Sequence, residues 1–136
     1  MPEDTKTIEI HLTTSIKQGD EFETFTFDET GSLTNKDGAI YIRYVEHGET
    51  TVPVTLKVNL DQTLLLNRDG QSKLHLHLDP KQTLTTHYLT QLGMITLKVR
   101  TQNLEIDLAN GSIRANYELL QGETVTGSYT LDLTFE

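Results

Sequence analysis

The feature that most constrains the fold of this chain is a strict alternation of apolar and polar residues. Successive side chains of a β-strand point to opposite faces, so alternation predicts a strand with one buried and one solvated face. The clearest case is TVPVTLKVNL at 51–60, and the same period recurs at 8–12, 95–99, 104–108 and 129–135. Because burial on one face is typical of antiparallel sheets, the sequence predicts an all-β protein.

Glycine-containing turns separate these strands. The stretches NKDG at 35–38, NRDG at 67–70 and ANG at 109–111 place glycine where a hairpin needs a positive φ. Strands joined by tight turns, without helical crossovers, predict an antiparallel up-and-down meander of about eight to ten strands. Such a meander either closes into a barrel or splits into a sandwich, and closure removes the exposed edges.

Two segments depart from simple alternation. In EFETFTFD the apolar phase changes between Phe22 and Phe25, which predicts a bulge or a strand that begins only at Glu23. In DPKQTLTTHYLTQLG at 79–93, an N-capping aspartate followed by proline and a stripe of apolar residues is typical of a helix. The four threonines of that segment are poor helix formers and favour a strand. Residues 80–92 are therefore predicted as strand, with a helix as the alternative.

Size and charge limit the classes of function. The chain has 136 residues, which fits one domain spanning 1–136, and it contains no cysteine. Eleven basic and twenty acidic residues give a net charge of −9, which repels phosphate backbones and anionic lipids. The stretch MPEDTKT has neither a basic start nor an apolar run typical of a signal peptide, and no apolar run of membrane-spanning length occurs in the sequence. We therefore expect a cytoplasmic protein without nucleic-acid or membrane partners.

Four stretches together resemble a known family. They are YIRYVE at 41–46, NRDG at 67–70, YLTQLGMITLKVRT at 88–101 and SIRANYELL at 112–120. Their order and spacing are similar to those of the YwiB-like family of small bacterial proteins. The features that carry the resemblance are Tyr41, Tyr44 and Glu46; Arg68 and Gly70; Tyr88, Gly93 and Thr101; and Ile113 with Tyr117. The resemblance implies a calycin-like or lipocalin-like closed β-barrel, and it brings no catalytic residues or substrate with it.

A barrel of this size can be filled by side chains or hold one small ligand. The candidate lining residues are Tyr41, Arg43, Tyr88 and Tyr117, whose hydroxyl and guanidinium groups would meet the polar part of a ligand. The alternative is that the tyrosines fill the core and that an arginine pairs with an acid such as Glu46. Our first hypothesis is a protein that binds a small, partly apolar ligand inside the barrel. Our second is a filled barrel that acts as a protein-interaction module.

The stretch KLHLHLDP at 73–80 contains two histidines, His75 and His77, on one face of a predicted strand whose leucines face the core. Two such histidines bind a divalent metal only if a third ligand, such as His11, His87 or Asp79, lies within reach. A metal-dependent enzyme using His75 and His77 is therefore the third hypothesis. We expect no cofactor and no enzymatic activity, because neither a nucleophile-elbow motif nor a phosphate-binding loop occurs in the sequence.

Overall fold

The computed structural model describes residues 4–136, and the first three residues of the predicted domain lie outside this range. Among the described residues, all regular structure is β-strand, in ten strands. The strands are β1 (Asp4–Gln18), β2 (Glu21–Lys36), β3 (Ala39–His47), β4 (Thr51–Val58), β5 (Leu64–Asp69), β6 (Lys73–Leu78), β7 (Leu84–Thr90), β8 (Gly93–Asp107), β9 (Ser112–Gln121) and β10 (Thr124–Phe135).

Each strand pairs antiparallel with its neighbours in the sequence, and the first strand pairs with the last. The closing ladder joins β1 to β10, from Ile10 opposite Phe135 to Lys17 opposite Ser128. The result is a closed barrel with the strand order of an up-and-down meander. The prediction of an all-β antiparallel barrel is confirmed, and the sandwich alternative is excluded.

The segment after β6 is a strand rather than a helix. Strand β7 pairs with β8 from Leu84 opposite Val99 to Thr90 opposite Gly93. Asp79 does not begin a helix; its carboxylate accepts hydrogen bonds from the Lys81 backbone N–H at 3.0 Å and the Gln82 side chain at 2.9 Å. These bonds stabilise a turn, so the capping signal in the sequence reflects a turn between two strands.

The prediction of a bulge or late start in EFETFTFD is wrong. Strand β2 begins at Glu21 and pairs with β1 without a register shift, up to Gln18 opposite Glu21. The alternation of apolar and polar residues shifts here because Phe22 and Phe25 point to opposite faces of the strand. Both rings are exposed, since this part of the β1 and β2 hairpin extends past the end of the pairing with β3. Register shifts occur instead between Thr101 and Asn103 and between Val125 and Gly127.

Two of the three predicted glycine turns have the expected backbone. Asp37 and Gly38 have φ values of 54° and 83°, as a two-residue type I′ hairpin requires, and Gly111 has a φ of 68°. Gly70 does not have a positive φ, so the prediction is wrong there. It lies in a longer connection between β5 and β6, which does not require a turn with positive φ.

The two ends of the barrel differ. We call the end that carries the turns after β1, β3, β5, β7 and β9 the mouth, and the opposite end the base. Between them lies a core of aliphatic side chains that are almost fully inaccessible. Its least exposed members are Leu12, Ile42, Leu56, Leu64, Leu76, Leu78, Val99, Ile113, Ala115 and Leu133. Among residues 4–136 there is no helix long and apolar enough to cross a membrane.

Candidate ligand site at the barrel mouth

The mouth is lined by inward-facing side chains that remain partly accessible. Residues directly opposite one another on neighbouring strands share a face of the sheet. Ile16 lies opposite Tyr129, Tyr88 lies opposite both Ile95 and Leu74, and Leu74 lies opposite Arg68. The half-buried members of this face include Thr14, Ile16, Phe27, Glu29, Val52, Arg68, Leu74, Tyr88, Ile95 and Tyr129. Because the residues below them are buried, these side chains form a partly accessible layer above the core, which we call the cup.

A buried carboxylate and a partly exposed arginine form the polar centre of the cup. The Glu46 side chain is 2% exposed and the Arg68 side chain is 37% exposed. Arg68 Nη2 lies 2.7 Å from Glu46 Oε1, and Arg68 Nη1 donates a hydrogen bond of 3.2 Å to Oε2. The Tyr44 hydroxyl donates to the same Oε2 at 3.2 Å. The carboxylate therefore holds the inner side of the guanidinium, while part of the arginine stays accessible from the mouth.

Burial shifts the pKa values of the ionisable groups at the mouth. Desolvation raises the pKa of Glu46 above its ordinary value, although the positive charge of Arg68 and the hydrogen bonds from Tyr44 and Arg68 oppose the shift. Burial also raises the pKa of Tyr44, and the Glu46 carboxylate adds to that effect. The pKa of Tyr117 is raised by burial as well. Both tyrosines therefore keep their hydroxyl protons at neutral pH and can act as hydrogen-bond donors.

Two stacked tyrosines form one wall of the mouth. The rings of Tyr117 and Tyr129 are nearly parallel, with an interplanar angle of 6° and centroids 5.1 Å apart. Tyr129 occupies space beside Gly127, where an added Cβ would lie 2.9 Å from the ring and 3.0 Å from its hydroxyl oxygen. A larger residue at position 127 would displace the ring. The glycine therefore positions the aromatic wall that lies above the core.

The four predicted lining residues divide into two pairs. Tyr88 and Tyr117 face the interior, as predicted. Tyr41 and Arg43 face outward, so the prediction that they line the interior is wrong. Arg43 packs over the Tyr41 ring, 4.8 Å from its centroid, and Lys57 lies 5.4 Å from the same centroid.

The error has a simple cause in strand β3. In the stretch IYIRYVEH both faces carry apolar or aromatic residues, so alternation alone does not decide which face is inside. The even-numbered residues Ile42, Tyr44 and Glu46 are buried, and this arrangement turns Tyr41 and Arg43 to solvent. Sequence reasoning therefore missed Tyr44 as an inward residue, whereas its alternative that an arginine pairs with Glu46 is confirmed by the contact with Arg68.

The two histidines of β6 have different surroundings. The His75 ring is exposed, and its Nε2 lies 2.8 Å from Asp69 Oδ1. Nε2 of His77 is buried and has no hydrogen-bond partner among the residues that the structure describes. Two of the predicted third ligands have other partners, since His11 contacts Asp28 and His87 Nδ1 lies 3.3 Å from the Thr96 hydroxyl. Within residues 4–136 no three His, Cys, Asp or Glu side chains are grouped so that they could hold a metal.

Two surface hollows lie outside the barrel interior. One, of about 490 Å³, lies between β1, β2 and the chain end near Glu136. The other, of about 520 Å³, lies between the turn at 80–83 and residues 100–102 of β8. Neither includes a residue of the Glu46 and Arg68 cluster. Both hollows are therefore separate from that cluster at the mouth.

Comparison with known proteins gives the family. A family model described as a domain of unknown function, DUF1934, matches residues 10–133. The chain belongs to this family. It is also 24% identical over 132 residues to the uncharacterized beta-barrel protein YwiB of Bacillus subtilis (strain 168), covering 95% of this chain and 92% of that protein.

A solved structure agrees with the barrel. The crystal structure of the ywiB protein from Bacillus subtilis superposes with a TM-score of 0.81 at 22% identity, covering 97% of this chain and 92% of that chain. The resemblance to YwiB-like β-barrel proteins is thereby confirmed, and the two proteins share a fold.

Proposed function

We propose that this member of the DUF1934 family is a non-catalytic cytoplasmic protein that binds a small, partly apolar ligand at the mouth of a calycin-like barrel. One observation carries the proposal. Arg68 points inward but keeps 37% of its side chain exposed, beside the buried Glu46 and next to half-buried apolar and aromatic side chains such as Leu74 and Tyr88. An accessible guanidinium among apolar side chains is typical of sites that fix the polar end of a ligand.

The chemistry of the cup favours a ligand with an apolar body and a group that accepts hydrogen bonds. The Tyr88 and Tyr129 rings, with Ile16, Phe27 and Ile95, supply apolar contact area. Arg68 supplies hydrogen-bond donors beyond those directed at Glu46. Because Glu46 balances the charge of Arg68, the polar end of the ligand does not need to be an anion. A carbonyl or an amide would serve as well as a carboxylate.

The packed core sets where the ligand would lie. Side chains such as Leu56 and Leu64 are 0% exposed and fill the barrel below the mouth. A ligand would therefore rest on Leu74 and Tyr88 near the rim, with part of its surface accessible to water. Such a site would favour molecules that are short relative to the barrel.

Native mass spectrometry of the protein purified from its own host tests this proposal. We expect a bound species of small mass that is released on denaturation and is absent from an Arg68→Gln variant. The matched control is Arg43→Gln, because Arg43 is an arginine on the outside of the same barrel. A barrel without ligand in every preparation, or equal occupancy of the two variants, would contradict the proposal.

A further inference from the structure

One edge of strand β2 has no partner strand near the mouth. Strand β2 pairs with β1 along its whole length, from Glu21 to Asn35, but with β3 only from Ser32 to Lys36. Within the part of the chain that the structure describes, no strand pairs with the other edge of β2 between Glu21 and Asp28. We call these eight residues the free edge.

The backbone groups of the even-numbered residues point toward the open side. The two-residue turn between β2 and β3 closes on the pair Lys36 and Ala39, so even residues of β2 direct their N–H and C=O groups toward β3. The turn between β1 and β2 closes on the pair Gln18 and Glu21, so the odd residues of β2 direct their N–H and C=O groups toward β1. The even residues again face the other edge. The even residues of the free edge therefore offer hydrogen bonds that no other strand uses.

The free edge lacks lysine, proline and bulges, three of the features that protect such edges. Exposed edges commonly carry lysine, proline or a bulge, which prevent pairing with another chain. Residues 18–35 contain no Lys, Arg or Pro, and the β1 to β2 ladder has no register shift. Phe22 is 67% exposed and Phe25 is 42% exposed. The edge therefore combines unused backbone groups with accessible aromatic rings.

The charge of the segment indicates the kind of partner. Five acidic residues lie in this region, namely Asp20, Glu21, Glu23, Asp28 and Glu29. Asp28 and Glu29 contact histidines, whereas Glu21 and Glu23 form no salt bridge with any residue in the range 4–136. Glu21 and Glu23 share a face with Phe25 and Phe27. A second copy of this chain would bring like charges together, whereas a basic strand would pair with them.

We propose that the free edge of β2 binds an extended segment of a partner protein in which basic residues alternate with apolar or hydroxyl residues. The partner adds a strand to the barrel wall, a mode in which backbone hydrogen bonds give affinity and alternate side chains give specificity. Lysine or arginine side chains of the partner pair with Glu21 and Glu23. Its apolar side chains pack on the exposed phenylalanines. This surface adjoins the ligand site, since Glu23 lies opposite Ile16 and Phe27 lies on the same face.

The test uses the synthetic peptide KVKTKVKT, labelled for fluorescence polarisation, against the whole chain; its four lysines lie on one face of an extended strand. A charge-reversed peptide, EVETEVET, is the control for electrostatics. The key variant is Thr24→Pro, which removes an N–H on the open side without removing one that pairs with β1. Thr24→Ala is its matched control, because it removes the same hydroxyl and keeps the N–H. Circular dichroism and urea unfolding establish that each variant folds.

We expect wild type and Thr24→Ala to bind the basic peptide equally, and Thr24→Pro to bind at least tenfold more weakly. A Glu21→Gln, Glu23→Gln double variant should weaken binding about threefold to tenfold and reduce its dependence on salt. The charge-matched control is Glu105→Gln with Glu136→Gln, which should bind as wild type does. No binding of the basic peptide at millimolar concentration, or equal binding by both Thr24 variants, would overturn the proposal. A dimer that only Thr24→Pro dissociates would assign the edge to a second copy and overturn it too.

Discussion

The middle of the barrel and its mouth are built from the same strands, yet they differ in packing and polarity. Strand β3 shows the change within a few residues, because Ile42 is a 0% exposed core residue and Glu46 is a buried acid near the rim. Strand β5 shows it too, since Leu66 is buried and Arg68 is half-buried two residues later. The alternation of faces is kept, and only the chemistry of the inward residues changes. The middle of the barrel therefore supplies stability, and the mouth supplies accessible polar and charged groups.

The largest expected effect is the loss of stability when a core side chain is truncated, compared with the same truncation at the mouth. Leu56→Ala removes a 0% exposed side chain from the core and should lower the free energy of unfolding by about 2–5 kcal/mol. Ile16→Ala at the half-buried mouth should cost about 1 kcal/mol, because much of that side chain already contacts water. Urea unfolding followed by circular dichroism measures both. Equal losses at the two positions would refute the division between core and mouth.

A smaller effect is expected at the ion pair of the mouth. Arg68→Gln leaves Glu46 buried without its charged partner and should destabilise the protein by about 1–2 kcal/mol at neutral pH. This value is below that of a fully buried pair because 37% of the Arg68 side chain is exposed to water. Arg43→Gln, on the outer face, should change stability by less than about 0.5 kcal/mol. If unfolding in urea showed the reverse order, the inward placement of Arg68 would be wrong.

The protonation of Glu46 gives a pH-dependent prediction. Because burial raises its folded-state pKa, the stability contributed by this group is fully present below its unfolded pKa of 4.5 and is lost as pH rises through the folded pKa. The free energy of unfolding of wild type relative to Glu46→Gln should therefore fall as pH is raised from about 4 to 7. Urea unfolding at several pH values measures the difference. A difference that rises with pH would mean that Arg68 outweighs desolvation.

The smallest effect is expected for the exposed ring of the β1 and β2 hairpin. Phe22→Ser should change the free energy of unfolding by less than about 0.5 kcal/mol, because the ring is 67% exposed and lies outside the core. Thermal unfolding of this variant beside Phe27→Ser, whose ring is half-buried near Gly48, is the appropriate comparison. A large loss for Phe22→Ser would mean that the hairpin packs on the barrel.

The fold was predictable from the sequence because alternation and turn chemistry are local signals. Strand β4, with Val54, Leu56 and Val58 inward, follows its pattern directly. The mouth was only partly predictable. Tyr88 and Tyr117 face inward as predicted, but the orientation of β3 depends on its register with β4, which the mixed pattern around Tyr41 does not determine. Arg68 and Glu46 lie 22 residues apart in sequence, on strands β5 and β3, and no local pattern specifies their contact.

The central claim is that the mouth around Arg68 is an open binding surface above a packed core. Its most direct test is a titration of isotope-labelled protein with octanoate and with octanamide, followed by two-dimensional NMR of backbone amides. The account predicts shifts concentrated at Ile16, Arg68, Tyr88 and Tyr129 for both probes, with affinity at least fivefold weaker in Arg68→Gln and unchanged in Arg43→Gln. Shifts confined to the outer face, or no shifts at millimolar probe, would contradict it.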